Sequence, residues 1–105
     1  MSDSTRTYAV VWQKDAGPVV PGQLQLLADA IRLRGGAHSR PVEHALAYEE
    51  LSAVRLGRQP EERIQGRPSL LLEVCSIEQF LVSAIGGLGV VTELADLIEI
   101  ARTLA

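Results

Sequence analysis

Asparagine is absent from this chain, and lysine, cysteine, methionine, tryptophan and phenylalanine each occur once. The lone cysteine, Cys75, excludes an intramolecular disulfide and any metal site built from several thiolates. With Lys14 the only lysine, positive charge rests on Arg6, Arg32, Arg34, Arg40, Arg55, Arg58, Arg63, Arg67 and Arg102. That bias, beside abundant Ala, Leu and Val, is the usage expected of a GC-rich bacterial genome. Long apolar runs are also missing: no stretch approaches the ~20 residues that cross a bilayer as a helix. The segment from Met1 to Arg6 is polar where a secretory leader would be apolar, so the expected location is the cytoplasm. A basic excess is lacking as well. The net charge of −3 gives a field that opposes nucleic acid and anionic membranes unless the arginines segregate, so neither is an expected partner.

What remains is a globular composition. A hydrophobic fraction of 47% over 105 residues supplies one core, and two independent cores would each fall near the lower size limit for unaided folding. The expectation is one domain over 1–105 with an ordered core of about residues 7–104.

Short apolar segments separated by Gly, Pro and acidic clusters predict an antiparallel, mainly β domain. Thr7 to Trp12 is the first strand candidate and stops at Lys14-Asp15-Ala16-Gly17-Pro18. Gln23 to Leu26 and Ile31 to Arg34 alternate polar with apolar. They form a hairpin with Leu24, Leu26, Ile31 and Leu33 inward and Gln23, Gln25, Arg32 and Arg34 outward. Val42 to Tyr48 and Leu51 to Leu56 follow across Glu49-Glu50, although Ala45 to Val54 also fits a helix because Ala, Glu and Leu favour one. Gly57 to Gly66 reads as an exposed polar connection. Leu70 to Cys75 and Phe80 to Ile85, with a turn over Ser76 to Gln79, are apolar enough to be covered on both faces, one of them partly by a helix. Val91, Leu94, Leu97, Ile98, Ala101 and Leu104 recur at three- and four-residue steps and make Val90 to Leu104 an amphipathic helix. Its polar face carries Glu93, Asp96, Glu99 and Arg102, the last placed to favour the helix dipole.

Seven strands and one C-terminal helix in this order resemble the pleckstrin-homology-like fold, over Thr7 to Leu104 and in segments such as Gly22-Gln23-Leu24-Gln25-Leu26 and Glu93-Leu94-Ala95-Asp96-Leu97. The resemblance implies a seven-stranded half-open barrel of two orthogonal sheets with the helix plugging one end. It does not carry over phosphoinositide binding. The first hairpin loop, basic in lipid-binding members, has here only Lys14 beside Asp15, with Gln23 and Gln25 at the outward positions. The only tryptophan is Trp12, whereas many eukaryotic members place one in the helix. For a divergent bacterial member the resemblance implies a protein-binding or self-assembly domain.

No catalytic set emerges. Gly86-Gly87-Leu88-Gly89 lacks the third glycine of a dinucleotide fingerprint and the Lys-Ser or Lys-Thr of a P-loop, and reads as a turn into the helix. Cys75 follows leucines and a valine and reads as a small core or strand-end residue. His38 falls in a loop, and His44 sits on a strand at its surface or partly buried. The two histidines have no cysteine or carboxylate at ligand spacing, so no metal site is expected, and no cofactor. The pairs Glu49-Glu50 and Glu61-Glu62 read as solvated loop charge. The function this leaves is a non-enzymatic binding or assembly module. Its exposed strand edges, or the groove beside its helix, would engage a protein, including another copy of the chain. The alternative is a small-ligand or anionic-lipid binder using Arg32, Arg34, Arg63 and Arg67.

Overall fold

A computed structural model describes residues 6–37, 40–85 and 88–104. His38 and the Gly86-Gly87 pair lie outside the described residues. The elements are β1 (Arg6–Lys14), β2 (Val19–Leu26), β3 (Ala30–Ala37), β4 (Arg40–Ala47), β5 (Leu51–Leu56), β6 (Leu70–Val74), β7 (Glu78–Ala84) and α1 (Leu88–Leu104). All seven strands join one continuous antiparallel sheet in the order β4-β3-β2-β1-β7-β6-β5. The segment open to a helical reading, Ala45 to Val54, is two strands joined by a single 3-10 turn, Tyr48–Glu50.

The sheet curls into a half-barrel. In a flat sheet β4 would lie roughly 14 Å from β1. Instead the His44 ring of β4 sits edge-on to Trp12 of β1 and Phe80 of β7, each 5.4 Å away between centroids. Two paired glycines permit the bend. A Cβ on Gly22 would stand 1.8 Å from the Arg34 carbonyl oxygen, and one on Gly35 would stand 2.6 Å from that of Pro21. Trp12 fills the concave side of this bend and donates Nε1–H to the Arg34 carbonyl at 3.2 Å.

Alternation places Val10, Trp12, Leu24, Ile31, Leu33, Leu46, Leu70, Leu72, Phe80 and Val82 inside. Val91, Leu94 and Ile98 of α1 complete that core, with Ala95 and Ala101 packed at its margin. Leu104, assigned by periodicity to the apolar stripe, is 82% exposed, because the helix outruns the barrel at its last turn.

Two expectations about β6 and β7 change. Their outer face is covered by the β5–β6 connection and not by the helix: Ile64 is buried against Leu71 and Leu81, with Val11 and Val19 alongside. The connection is therefore not simply exposed. A 3-10 turn (Pro60–Glu62) anchors it, and Glu62 holds Arg55 through both carboxylate oxygens while accepting from the Arg58 and Gln59 amides at 3.1 and 3.3 Å. These partners, the Arg55 guanidinium first, lower the Glu62 carboxyl to about 2, so this residue is a structural anchor and not loosely solvated loop charge. The β6–β7 turn is also shorter than expected. Val74 O accepts from Ile77 N–H, and Cys75 and Ser76 take positive φ at 53° and 59°. Glu50 O and Ser52 Oγ hold their amides in a conformation that asparagine or glycine would adopt more readily.

Candidate functional site

An open curled sheet ends in two edges, β4 and β5, and each exposes main-chain groups unless something covers it. The β5 edge is covered at its start. Arg102 reaches from α1 to donate Nε–H to Leu51 O at 3.0 Å and a terminal N–H to Ser52 O at 3.2 Å, while Glu99 steadies its guanidinium. These two carbonyls sit where the β5–β6 register shifts between Leu51 and Ala53. Sequence reasoning gave Arg102 only the helix dipole, because its reach across to β5 depends on how α1 docks.

Among the described residues β4 pairs only with β3. Which of its groups are free follows from the alternation of antiparallel hydrogen bonds. Leu27 N–H bonds to Ala30 O and Tyr48 N–H to Asp29 O. Ile31, Leu33 and Gly35 therefore face β4 and bond Leu46, His44 and Val42, whereas the amides and carbonyls of Glu43 and Ala45 point away from the sheet. Pro41 falls in the same outward series, where its missing N–H costs no ladder bond. A proline inside a strand pattern agrees with an edge position but does not mark it, since Pro21 lies within the central strand β2.

A cleft flanks each end of this edge. One, of about 660 Å³, is bounded by Pro21, Gly22, Arg34, Gly35, Val42 and Glu43. The other, of about 400 Å³, lies between Asp29, Ala47, Tyr48 and the Ala101 and Leu104 side of α1. Tyr48 is buried at its floor and donates to Leu27 O at 2.8 Å; burial first, and Asp29 second, push its phenol above the ordinary range.

The outer surface beside β4 is arginine-rich. Arg32 and Arg34, side by side on β3, share one carboxylate, Glu43, at 3.3 and 3.6 Å. Arg63 and Arg67 belong to the β5–β6 connection on either side of the buried Ile64 and are themselves exposed. The structure thus joins Arg32 to Arg34 and brings Arg63 near Arg67. β2, β1 and β7 stand between β3 and the strand into which the connection leads.

The groups weighed for chemistry lie apart. Cys75 is exposed in the β6–β7 turn with its amide on Glu50 O, whereas His44 is half-buried between the rings of Trp12 and Phe80. Glu49 and Glu50 are exposed on the 3-10 turn. Lys14, at the end of β1, is paired with Glu78 at 2.7 Å and stands 6.0 Å from the Phe80 ring centre; the Glu78 hydrogen bond raises its ammonium above the ordinary value. Among the described residues no group of three or more His, Cys, Asp or Glu is placed to hold a metal ion, and no helix is long and apolar enough to cross a membrane.

No family model and no curated protein matches the chain. Its fold is similar to that of a solved structure, the C-terminal domain of an unknown protein from Leishmania infantum, with a TM-score of 0.66 and 8% sequence identity over 89% of this chain and 81% of that one. At that identity the likeness is one of fold: a seven-stranded antiparallel half-barrel closed by a C-terminal helix.

Proposed function

We propose that the chain is a divergent pleckstrin-homology-like domain and a non-enzymatic protein-interaction module that takes an extended segment along the free edge of β4. The superfamily reading is supported by the strand order, the curl about Gly22 and Gly35, and the helix completing the core. One observation carries the functional reading. Arg102 of α1 caps β5 at its start, while β4 offers Glu43 and Ala45 outward with a cleft at either end. Main-chain pairing would supply affinity in this mode, and side chains seated in the two clefts would supply selectivity.

The reading is tested by displaying a library of extended peptides of mixed charge against the isotope-labelled protein and following its amide resonances. Binders are expected to shift and protect the Glu43 and Ala45 amides, and to be lost in Ala45→Pro, which removes a free-edge donor without touching the β3–β4 ladder. Peptides that perturb α1 or the β5 edge and leave β4 unmoved would refute it.

A further inference from the structure

The reading of β4 as a strand-accepting edge leaves its occupant unnamed, and the charge pattern around that edge fits a second copy of this chain. Resting on that reading, we propose that two copies associate edge to edge through antiparallel β4 strands, with His44 on the two-fold axis.

Register is the deciding point. Only outward-facing groups can bond across the new seam, so residues of the series Pro41, Glu43, Ala45 and Ala47 must meet members of the same series in the partner. A seam centred on Glu43 would set two carboxylates opposite each other, which is repulsive. A seam centred on Ala45 would leave Arg32 looking across Ala45 at another alanine. The seam centred on His44 places the partner's Glu43 opposite Ala45, and on the other side of Ala45, in the same row, stands Arg32. Ala45 is too short to screen the two, so the Arg32 guanidinium can cross it to the partner's Glu43.

The pairing brings opposite charges together across the seam. In one copy two guanidinium groups, 40% and 54% exposed, share one carboxylate, and across this seam Arg32 gains a second. Two-fold symmetry makes every contact twice, so the surface is self-complementary. Glu43 and Ala45 exchange both main-chain bonds with their counterparts, about four in all. On the concave side Val42, 38% exposed, comes to lie opposite the partner's Leu46. Pro41 falls opposite the partner's Ala47, at the end of the paired segment where a missing donor costs least.

Sedimentation equilibrium of the full chain from micromolar to millimolar concentration tests the proposal, with circular dichroism confirming that each variant folds. A monomer–dimer equilibrium is expected that weakens with added salt. Arg32→Glu and Glu43→Arg should each weaken it on the order of tenfold or more by setting like charges across the seam twice, and the double variant R32E/E43R should recover most of the loss. Ala45→Pro should abolish it. A chain that stays monomeric throughout overturns the proposal, as does association that survives both single reversals or is not recovered in the double variant. A monomer that still binds library peptides at Glu43 and Ala45 would remove the second copy and leave the strand-accepting edge standing, so the two failures are told apart.

Discussion

Leu94 tests most directly whether α1 belongs to the core. It is fully buried at the centre of the helix's inward face, between Val91 and Ile98 and against the barrel interior. Truncation in Leu94→Ala removes apolar contacts and leaves a cavity that surrounding strands cannot readily collapse into, at a cost of about 2–5 kcal/mol. Since 1 kcal/mol moves the midpoint of a domain of this size by roughly 4–8 °C, thermal unfolding should fall by about 8–40 °C. Leu104→Ala is the internal control. That side chain is 82% exposed, and its loss should change stability by no more than ~0.5 kcal/mol. Urea unfolding followed by tryptophan fluorescence reports the same event from within the barrel, because Trp12 is buried in the same core cluster as Leu94. Equal effects of the two substitutions, or a Leu94→Ala protein with an unchanged transition, would show that α1 is not docked as described. Removal of α1 altogether takes away Val91, Leu94 and Ile98 together, each contributing about 1.5–3 kcal/mol. A chain truncated after Gly89 is therefore expected to unfold or aggregate in a solubility and melting assay.

The outer cluster gives a second prediction: Ile64→Ala should cost about 2–5 kcal/mol in urea unfolding, where the neighbouring exposed Arg63→Ala should be nearly neutral. Gly22→Ala should destabilise by at least ~1–3 kcal/mol in thermal unfolding, because the added methyl would meet the Arg34 carbonyl at the bend. Glu62 gives a prediction in pH. Its folded carboxyl is depressed from 4.5 to about 2, so its contribution is present above the unfolded value and is lost as pH falls through the folded one. The difference in melting temperature between the natural chain and Glu62→Gln should accordingly be constant near neutrality and shrink from about pH 4.5 towards pH 2.

The seven strands and the helix were legible in the sequence because each rests on a local rule. Gln23 to Leu26 and Ile31 to Arg34 alternate with period two, and Val91, Leu94 and Ile98 recur at helical spacing, so which side chains turn inward is fixed before any partner is named. Tertiary structure alone decided what lies on the second side of an element. Ile64 stands alone in a polar run, and only the docking of that run on Leu71 and Leu81 makes it core. Arg102 reads as solvent-facing in a helical projection, yet the line of α1 across the barrel delivers it to the β5 carbonyls. Leu104 fits the apolar stripe but lies beyond the surface that would bury it. The candidate site was the least legible part, because an edge is a property of strand order. No pattern within Arg40–Ala47 records that β3 is its only neighbour among the described residues, and Pro41 does not distinguish it, since Pro21 sits in the central strand β2.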